Sequence, residues 1–324
     1  MIQVLYKEEK DRFIIGDRHW RPYIRKLIRG EPKKLSGMQR VVANFTKGLN
    51  ILGIDYVFNP SRWKINYNEP IVCFGLGKLG LEGVKENAKI IAAVGFPYPS
   101  DYPELCNRYN VVKFLQHSKW AIDFHKTSKI YPDNIFDTWF AGIDAEYWEV
   151  CDSQPEIIHA LVYVKTHLDL NHLETVLVQP VIKRLEKLGI KYNIIKYGKY
   201  LPHEYKSLLK KSSFLVFISP HETQGFAYLE SLSCNRPVFA WNPGFWMDPD
   251  KIRLGLKEIK TTSVPFFSDE CGDTFKNYHE FDIKIEEFII NLINNKFNPS
   301  KYIRDNLTIL HSTKRMLEII RGTR

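Results

Sequence analysis

No apolar run in this sequence of 324 residues reaches the roughly 18–20 residues that a membrane-spanning helix needs, which argues against an integral membrane protein. The opening stretch MIQVLYKEEK is too short in apolar residues for a signal-peptide core and reads as a first strand. The expected compartment is the cytoplasm, with peripheral attachment to a membrane left open. Cysteine is scarce, with five residues at positions 73, 106, 151, 234 and 271 and no C-x-x-C pair. That count and scatter exclude a disulfide framework and a zinc site and predict reduced, mostly buried thiols. Acidic residues are outnumbered, 37 against 46 Lys and Arg, for a formal net charge of +9. The excess favours an anionic partner, whether nucleic acid, a membrane surface or a phosphorylated small molecule, without choosing among them.

What is present in quantity is apolar and aromatic material. Hydrophobic residues make up 44% of the chain, with 20 Phe and 17 Tyr, enough for two cores. Short β-branched and aromatic runs (2–6, 55–59, 70–76, 89–96) alternate with helical periodicity. In GMQRVVANFTKGLNILG (37–53) the apolar residues Val41, Val42, Phe45, Leu49 and Leu52 form one stripe. The rhythm restarts with strands at 157–165, 191–198 and 214–219 and helices at 173–189 and 203–212. Alternation of this kind predicts βα units and parallel sheets, hence an α/β chain with two Rossmann-like domains. The acidic stretch 145–156, with Pro155, is the expected linker. The domains are then 1–150, joined by a single C-terminal helix in 301–324, and 151–300.

Three stretches carry candidate chemistry. GLGKLG (75–80) is a literal G-x-G-x-x-G after a strand, the pattern that brings backbone N–H groups to a pyrophosphate. It follows a middle strand, and no acidic residue stands about 20 positions on to hold a ribose. A glycine turn needed for packing is therefore the expected meaning. The D-x-D at 248–250 has the spacing of a divalent-cation clamp, but Pro243, Gly244 and Pro249 around it favour a turn. In SPHETQGFAYLESLSCNRPVFAW (219–241) a buried strand leads to a loop holding Glu222, and a helix from about Gly225 holds Glu230. At 1.5 Å per residue the two carboxylates stand on the order of 10 Å apart. That is too far for one metal or one proton and suits an extended ligand rich in hydroxyls. The helix start between them offers N–H groups and positive dipole. The alternative is a helix-start acid at Glu222 and a solvated helix residue at Glu230.

The same stretch resembles the E-x7-E signature of retaining GT-B-fold glycosyltransferases, above all the large family-four type. SGMQRVV (36–42), QHSKWAIDFH (116–125), WFAGIDAEYW (139–148) and LVYVKTH (161–167) are similar to further landmarks of that family and occur in its order. The resemblance implies two domains facing a cleft, with a C-terminal helix crossing back to the first. It implies transfer of a hexose from a UDP- or GDP-sugar to a glycan, lipid-linked or other hydroxyl acceptor, with the anomeric configuration retained and no metal or cofactor. By that resemblance Glu230 would take the ribose hydroxyls and Glu222 those of the hexose. Gly225 and Phe226 would present N–H groups to the hexose or phosphate, and Lys165 would neutralise the diphosphate. Gly37 would let the N-terminal turn approach it, and Tyr200 lies in the stretch matching the nucleobase loop. Where the family has a second Lys, Leu170 and Asn171 stand instead, which makes Arg40 the candidate second cation. The stretch AAVGFPYP (92–99) carries no His where many members have one. A weakly catalytic nucleotide-sugar-binding protein, or another GT-B activity such as a sugar-nucleotide epimerase, is the alternative.

One segment falls outside that family pattern. RHWRPYIRKLIRGEPKK (18–34) carries seven Lys and Arg interleaved with Trp20, Tyr23, Ile24, Leu27 and Ile28. Such a patch fits an anionic acceptor or an anionic membrane surface, or is a solvated loop. A nucleic-acid partner is not expected, because the clearest basic cluster is local rather than a stripe over both halves.

Overall fold

The computed structural model describes residues 1–7, 35–75, 77–96, 98–149, 157–165, 172–247 and 259–323. The basic segment 18–34, the D-x-D at 248–250, Cys151, residues 170–171 and positions 150–156 of the expected linker lie outside them. The chain forms two compact units, Met1–Gly142 with Ile309–Arg324, and Ile143–Thr308.

The first unit is built on six parallel strands, Ile2–Lys7 (β1), Tyr56–Phe58 (β2), Ile71–Gly75 (β3), Lys89–Ala92 (β4), Asn110–Gln116 (β5) and Phe136–Thr138 (β6). Their order is β2-β1-β3-β4-β5-β6. Strand β3 is buried throughout, as a parallel strand covered on both faces must be. Helix Gly37–Ile51 (α1) begins in a capping box: Ser36 Oγ accepts from Gln39 N, and Gln39 Oε1 accepts from Ser36 N. Its stripe Val41, Val42, Phe45 and Leu49 is buried, and Phe45 packs with Phe74 and Trp139. Helix Lys119–Lys126 (α2) follows β5.

The second unit repeats the plan with five parallel strands, His159–Val164 (β7), Lys191–Lys196 (β8), Phe214–Ile218 (β9), Val238–Trp241 (β10) and Gly272–Phe275 (β11), ordered β11-β10-β9-β7-β8. The chain runs from β7 to one side and then crosses to the other, so the topological switch point lies between β7 and β9. Helices Gln179–Lys187 (α3), Pro202–Lys211 (α4), Phe226–Ser233 (α5), Tyr278–Ile293 (α6) and Pro299–Asn306 (α7) belong to this unit, and Ile309–Arg321 (α8) returns to the first.

Three expectations about elements are corrected. Residues 173–189 are not one α-helix: Glu174–Val178 is a π turn ahead of α3. Pro180 has no N–H to continue the ladder, and the turn before it re-registers. The single closing helix over 301–322 is two helices, α7 and α8. The chain leaves helix at Leu307, whose carbonyl accepts from Ile143 N at 2.8 Å, and Thr308 bridges Ile143. The expected linker begins with helical structure, Ala145–Trp148, capped by the Asp144 carboxylate, with Trp148 buried. The four cysteines among the described residues are unpaired and three of them buried. Burial pushes the Cys73 thiol up to about 12.

Candidate functional site

The site is best built from the end of β9. Phe214–Ile218 is a buried run of large apolar residues, and the chain leaves its carboxyl end through Ser219-Pro220-His221-Glu222. The backbone amide of Glu222 donates to Thr262 O at 3.0 Å, which fixes the loop. Neighbouring β7 ends at Val164, and the next residue, Lys165, donates its amide to Ile218 O at 2.8 Å. Lys165 and Glu222 are thereby placed at the carboxyl ends of the two strands that flank the switch point. In open α/β sheets that is where ligands bind.

Their side chains meet. Lys165 Nζ lies 2.7 Å from Glu222 Oε1, and the two side chains are 15% and 11% exposed. Ser219 Oγ donates to the same oxygen at 2.9 Å, and the Tyr197 ring lies 4.8 Å beneath the Lys165 ammonium. Lysine and glutamate were separate expectations, one for a diphosphate and one for a hexose. In the structure they are one ion pair, so an anionic group that reaches Lys165 competes with the Glu222 carboxylate.

Helix α5 starts directly after this loop. Its N-cap, Gly225, has φ of +82°, the left-handed region that a side chain disfavours. A Cβ there would also lie 2.4 Å from the Tyr228 ring and 3.2 Å from Glu222 Cγ. Phe226 is the first helical residue. Glu230 stands in the second turn of α5 and is 1% exposed, within a run Ala227–Ser233 that is buried throughout. The solvated-helix alternative for Glu230 is thereby excluded. Beside β7, Tyr200 donates its hydroxyl to Tyr163 Oη at 3.2 Å, and Tyr163 stacks on Phe217 of β9. Burial, with Tyr200 alongside, pushes the Tyr163 phenol well above its ordinary range. On the other side of Glu222, His221 stacks on Trp246 with centroids 4.5 Å apart.

Six of the expected residues, Lys165, Tyr200, Glu222, Gly225, Phe226 and Glu230, thus belong to the second unit around one switch point. Gly37 and Arg40 belong to the first, in the opening turn of α1. A Cβ on Gly37 would meet nothing within 4 Å, so no packing within the described chain calls for glycine there.

The G-x-G-x-x-G at 75–80 has the packing role expected of it. A Cβ on Gly75, at φ +81°, would meet Lys7 O at 2.7 Å; one on Gly77 would strike the Phe96 ring, and one on Gly80 the Cys73 sulfur. Helix Gly77–Gly80 is a single turn. Two groups escaped sequence reasoning. Ser219 was legible only as the first letter of its motif. His117, at the end of β5, is buried and donates Nδ1–H to Trp139 O at 3.1 Å; no spacing signal marked it.

No protein-family model matches this sequence, and no curated protein does. Among solved structures, a glycosyltransferase from Rickettsia africae is similar over 99% of this chain and 97% of its own, with TM-score 0.56 and 13% identity. HepE from Anabaena, solved in complex with UDP, is similar over 99% of this chain and 100% of its own, with TM-score 0.56 and 9% identity. TarM from S. aureus, solved with UDP and other ligands, is similar over 79% of this chain, with TM-score 0.53 and 12% identity; the chain spans 56% of its length. At such identities the likeness concerns the fold, and the fold is that of GT-B glycosyltransferases.

Proposed function

We propose that the chain is a glycosyltransferase that moves a hexose from a nucleotide-sugar donor to a hydroxyl of a glycan, lipid-linked or other acceptor, with retention of configuration. The observation that carries this reading is the Lys165–Glu222 pair at the carboxyl ends of β7 and β9, with the α5 N-terminus directly after it. A nucleotide sugar has three parts that need holding, and this arrangement offers a group for each. The ammonium of Lys165 and the amides that open α5 take the diphosphate, whose charge grows as the glycosidic bond breaks. Glu222, released from Lys165 by the incoming phosphate, accepts hydrogen bonds from hexose hydroxyls. Glu230, held within α5, accepts from the ribose, and Tyr200 flanks the base. In this scheme cations and backbone dipoles stabilise the leaving group in place of a metal ion. The fold shared with UDP-bound glycosyltransferase structures supports the donor class.

A second reading, donor binding with little turnover, is favoured by the stretch 92–99, which carries no His. Calorimetric titration with UDP- and GDP-sugars, followed by a turnover assay, separates the two. Turnover that falls at least tenfold in Glu230→Gln supports transfer; binding without turnover supports the second reading. If no panel member binds, both are wrong. The basic segment 18–34 suggests an anionic membrane surface as a further partner, and failure of anionic liposomes to retain the chain at low salt would exclude it.

A further inference from the structure

Glu222 is held by its backbone as well as by its side chain, and the holder is the irregular segment TTSVPF, residues 261–266. Thr261, Ser263 and Val264 within it are buried. An irregular segment can be buried only where other groups meet its backbone polar atoms. Here they are met from several sides. Thr261 N donates to Gly244 O at 3.2 Å and Ser263 N to Asn242 Oδ1 at 3.1 Å. Val264 N donates to Thr262 Oγ1 at 3.1 Å and Phe266 N to Tyr228 Oη at 3.0 Å. Pro265, between them, has no N–H to place.

These bonds tie the segment to rigid elements at both ends. At one end Asn242 follows directly on β10, and its own amide donates at 2.8 Å to the carbonyl of Phe275, the last residue of β11. The antiparallel bridge between Phe245 and Lys260 adds a second attachment there. At the other end Tyr228 belongs to α5 and is wholly buried. Between the two, Thr262 O accepts from Glu222 N at 3.0 Å. The segment is therefore a strap from the sheet to α5, with the Glu222 loop hung from its middle. A carboxylate ordered before its ligand arrives spares the ligand the entropy of ordering it. Asn242 is the joint on which this depends. Its side-chain oxygen receives Ser263 N, the residue next to the carbonyl that holds Glu222, while its backbone stays in register with β11.

We propose that Asn242 is a positioning residue for the hexose of the donor: through the strap it fixes the backbone of Glu222, and with it the reach of that carboxylate. This rests on the glycosyltransferase reading, in which Glu222 accepts from hexose hydroxyls. The effect is selective by construction. The strap holds the loop that carries Glu222, whereas Lys165 stands at the end of β7 and Glu230 inside α5, each placed by an element of its own. Loss of the strap's joint therefore costs the hexose its partner and leaves the nucleoside diphosphate its own.

The test uses the whole chain, titrated calorimetrically with UDP-glucose, UDP-N-acetylglucosamine and GDP-mannose, and with UDP and GDP alone. Asn242→Leu keeps the shape and loses the acceptor; Asn242→Asp keeps the acceptor. The expected result is that Asn242→Leu weakens the tightest nucleotide sugar at least fivefold and leaves its nucleoside diphosphate within twofold. Asn242→Asp should stay within twofold of the parent for both. In a Glu222→Gln background Asn242→Leu should change nucleotide-sugar affinity by less than twofold, since it acts through Glu222. Amide exchange of Glu222 should quicken at least tenfold in Asn242→Leu while the amides of β9 keep their rates. If Asn242→Leu does not fold, Thr262→Val, which removes only the acceptor of Val264 N, carries the same expectations. The proposal is overturned if nucleoside diphosphate and nucleotide sugar weaken alike, if the loss persists in full in Glu222→Gln, or if Glu222 exchanges no faster. Failure of every nucleotide and nucleotide sugar to bind sinks instead the functional reading beneath it, and the exchange rate of Glu222 still decides whether the strap holds that residue.

Discussion

Lys165 Nζ and Glu222 Oε1 lie 2.7 Å apart at the carboxyl ends of adjacent parallel strands, with most of both side chains out of water. Such a pair is sensitive to the loss of one member, because the survivor keeps its charge and loses its countercharge. Lys165→Met should therefore destabilise the second unit by roughly 3 kcal/mol, read as a lower urea midpoint. Lys165→Met with Glu222→Gln should recover most of that loss, since no buried charge is left unpaired. Full additivity of the two variants would show that the residues do not meet in solution.

Two glycines give opposite expectations. Gly225→Ala places a Cβ 2.4 Å from the Tyr228 ring at a φ of +82°, which should cost on the order of 1–3 kcal/mol. Gly37→Ala meets nothing within 4 Å and lies in the first turn of α1, where Ala is the better helix former. Its melting temperature should stay equal or rise. UDP affinity should nevertheless fall at least tenfold if that turn approaches the diphosphate. Unchanged UDP affinity in Gly37→Ala would remove Gly37 from the site.

Much of this architecture was legible because a buried parallel strand announces itself. IVCFG and FLVFI are unbroken apolar runs that leave little room for another assignment, and the stripe of α1 carried its own phase. The weaker strands were harder: FDT in β6 and GDTF in β11 are short and polar, and sheet pairing rather than composition makes them strands. The break at Leu307 was hidden for a similar reason, since the residue that takes its carbonyl, Ile143, is far away in sequence. For the candidate site, the eight-residue spacing is what singles out Glu222 and Glu230 in the sequence. That Lys165 reaches Glu222 depends on β7 pairing with β9, a contact over 57 positions that no local pattern records. His117 was visible only as part of a resemblance; its unusual property is what surrounds it.

Glu230 tests whether burial serves structure or ligand. The carboxylate is 1% exposed in a helix buried from Ala227 to Ser233, and Gln has nearly its shape without its charge. Hydrogen bonds to a charged group are worth about 1.5–3 kcal/mol, so Glu230→Gln should weaken UDP binding by roughly one to two orders of magnitude. Uridine should lose as much as UDP, because the ribose is common to both. A loss confined to UDP would relocate Glu230 to the phosphates, and no loss for either would make it a structural acid.

His117 predicts how acid acts on the first unit. Its ring is held neutral down to about 4, against 6.5 for an unburied histidine, because burial disfavours the charged form. Between those two values the unfolded chain binds a proton that the folded chain does not, so stability rises with pH across that window. The contribution is complete above pH 6.5, is lost progressively as pH falls, and changes no further below about 4. The full loss amounts to roughly 3 kcal/mol. The Nδ1–H bond to Trp139 O favours the charged ring and only partly offsets burial. Replacing the ring by an amide removes the titration, so the stability of the parent chain minus that of His117→Gln should fall by that amount between pH 7 and pH 4. Urea unfolding at unit pH intervals measures the difference, and a difference that does not vary with pH would mean that the ring is solvated and protonates freely.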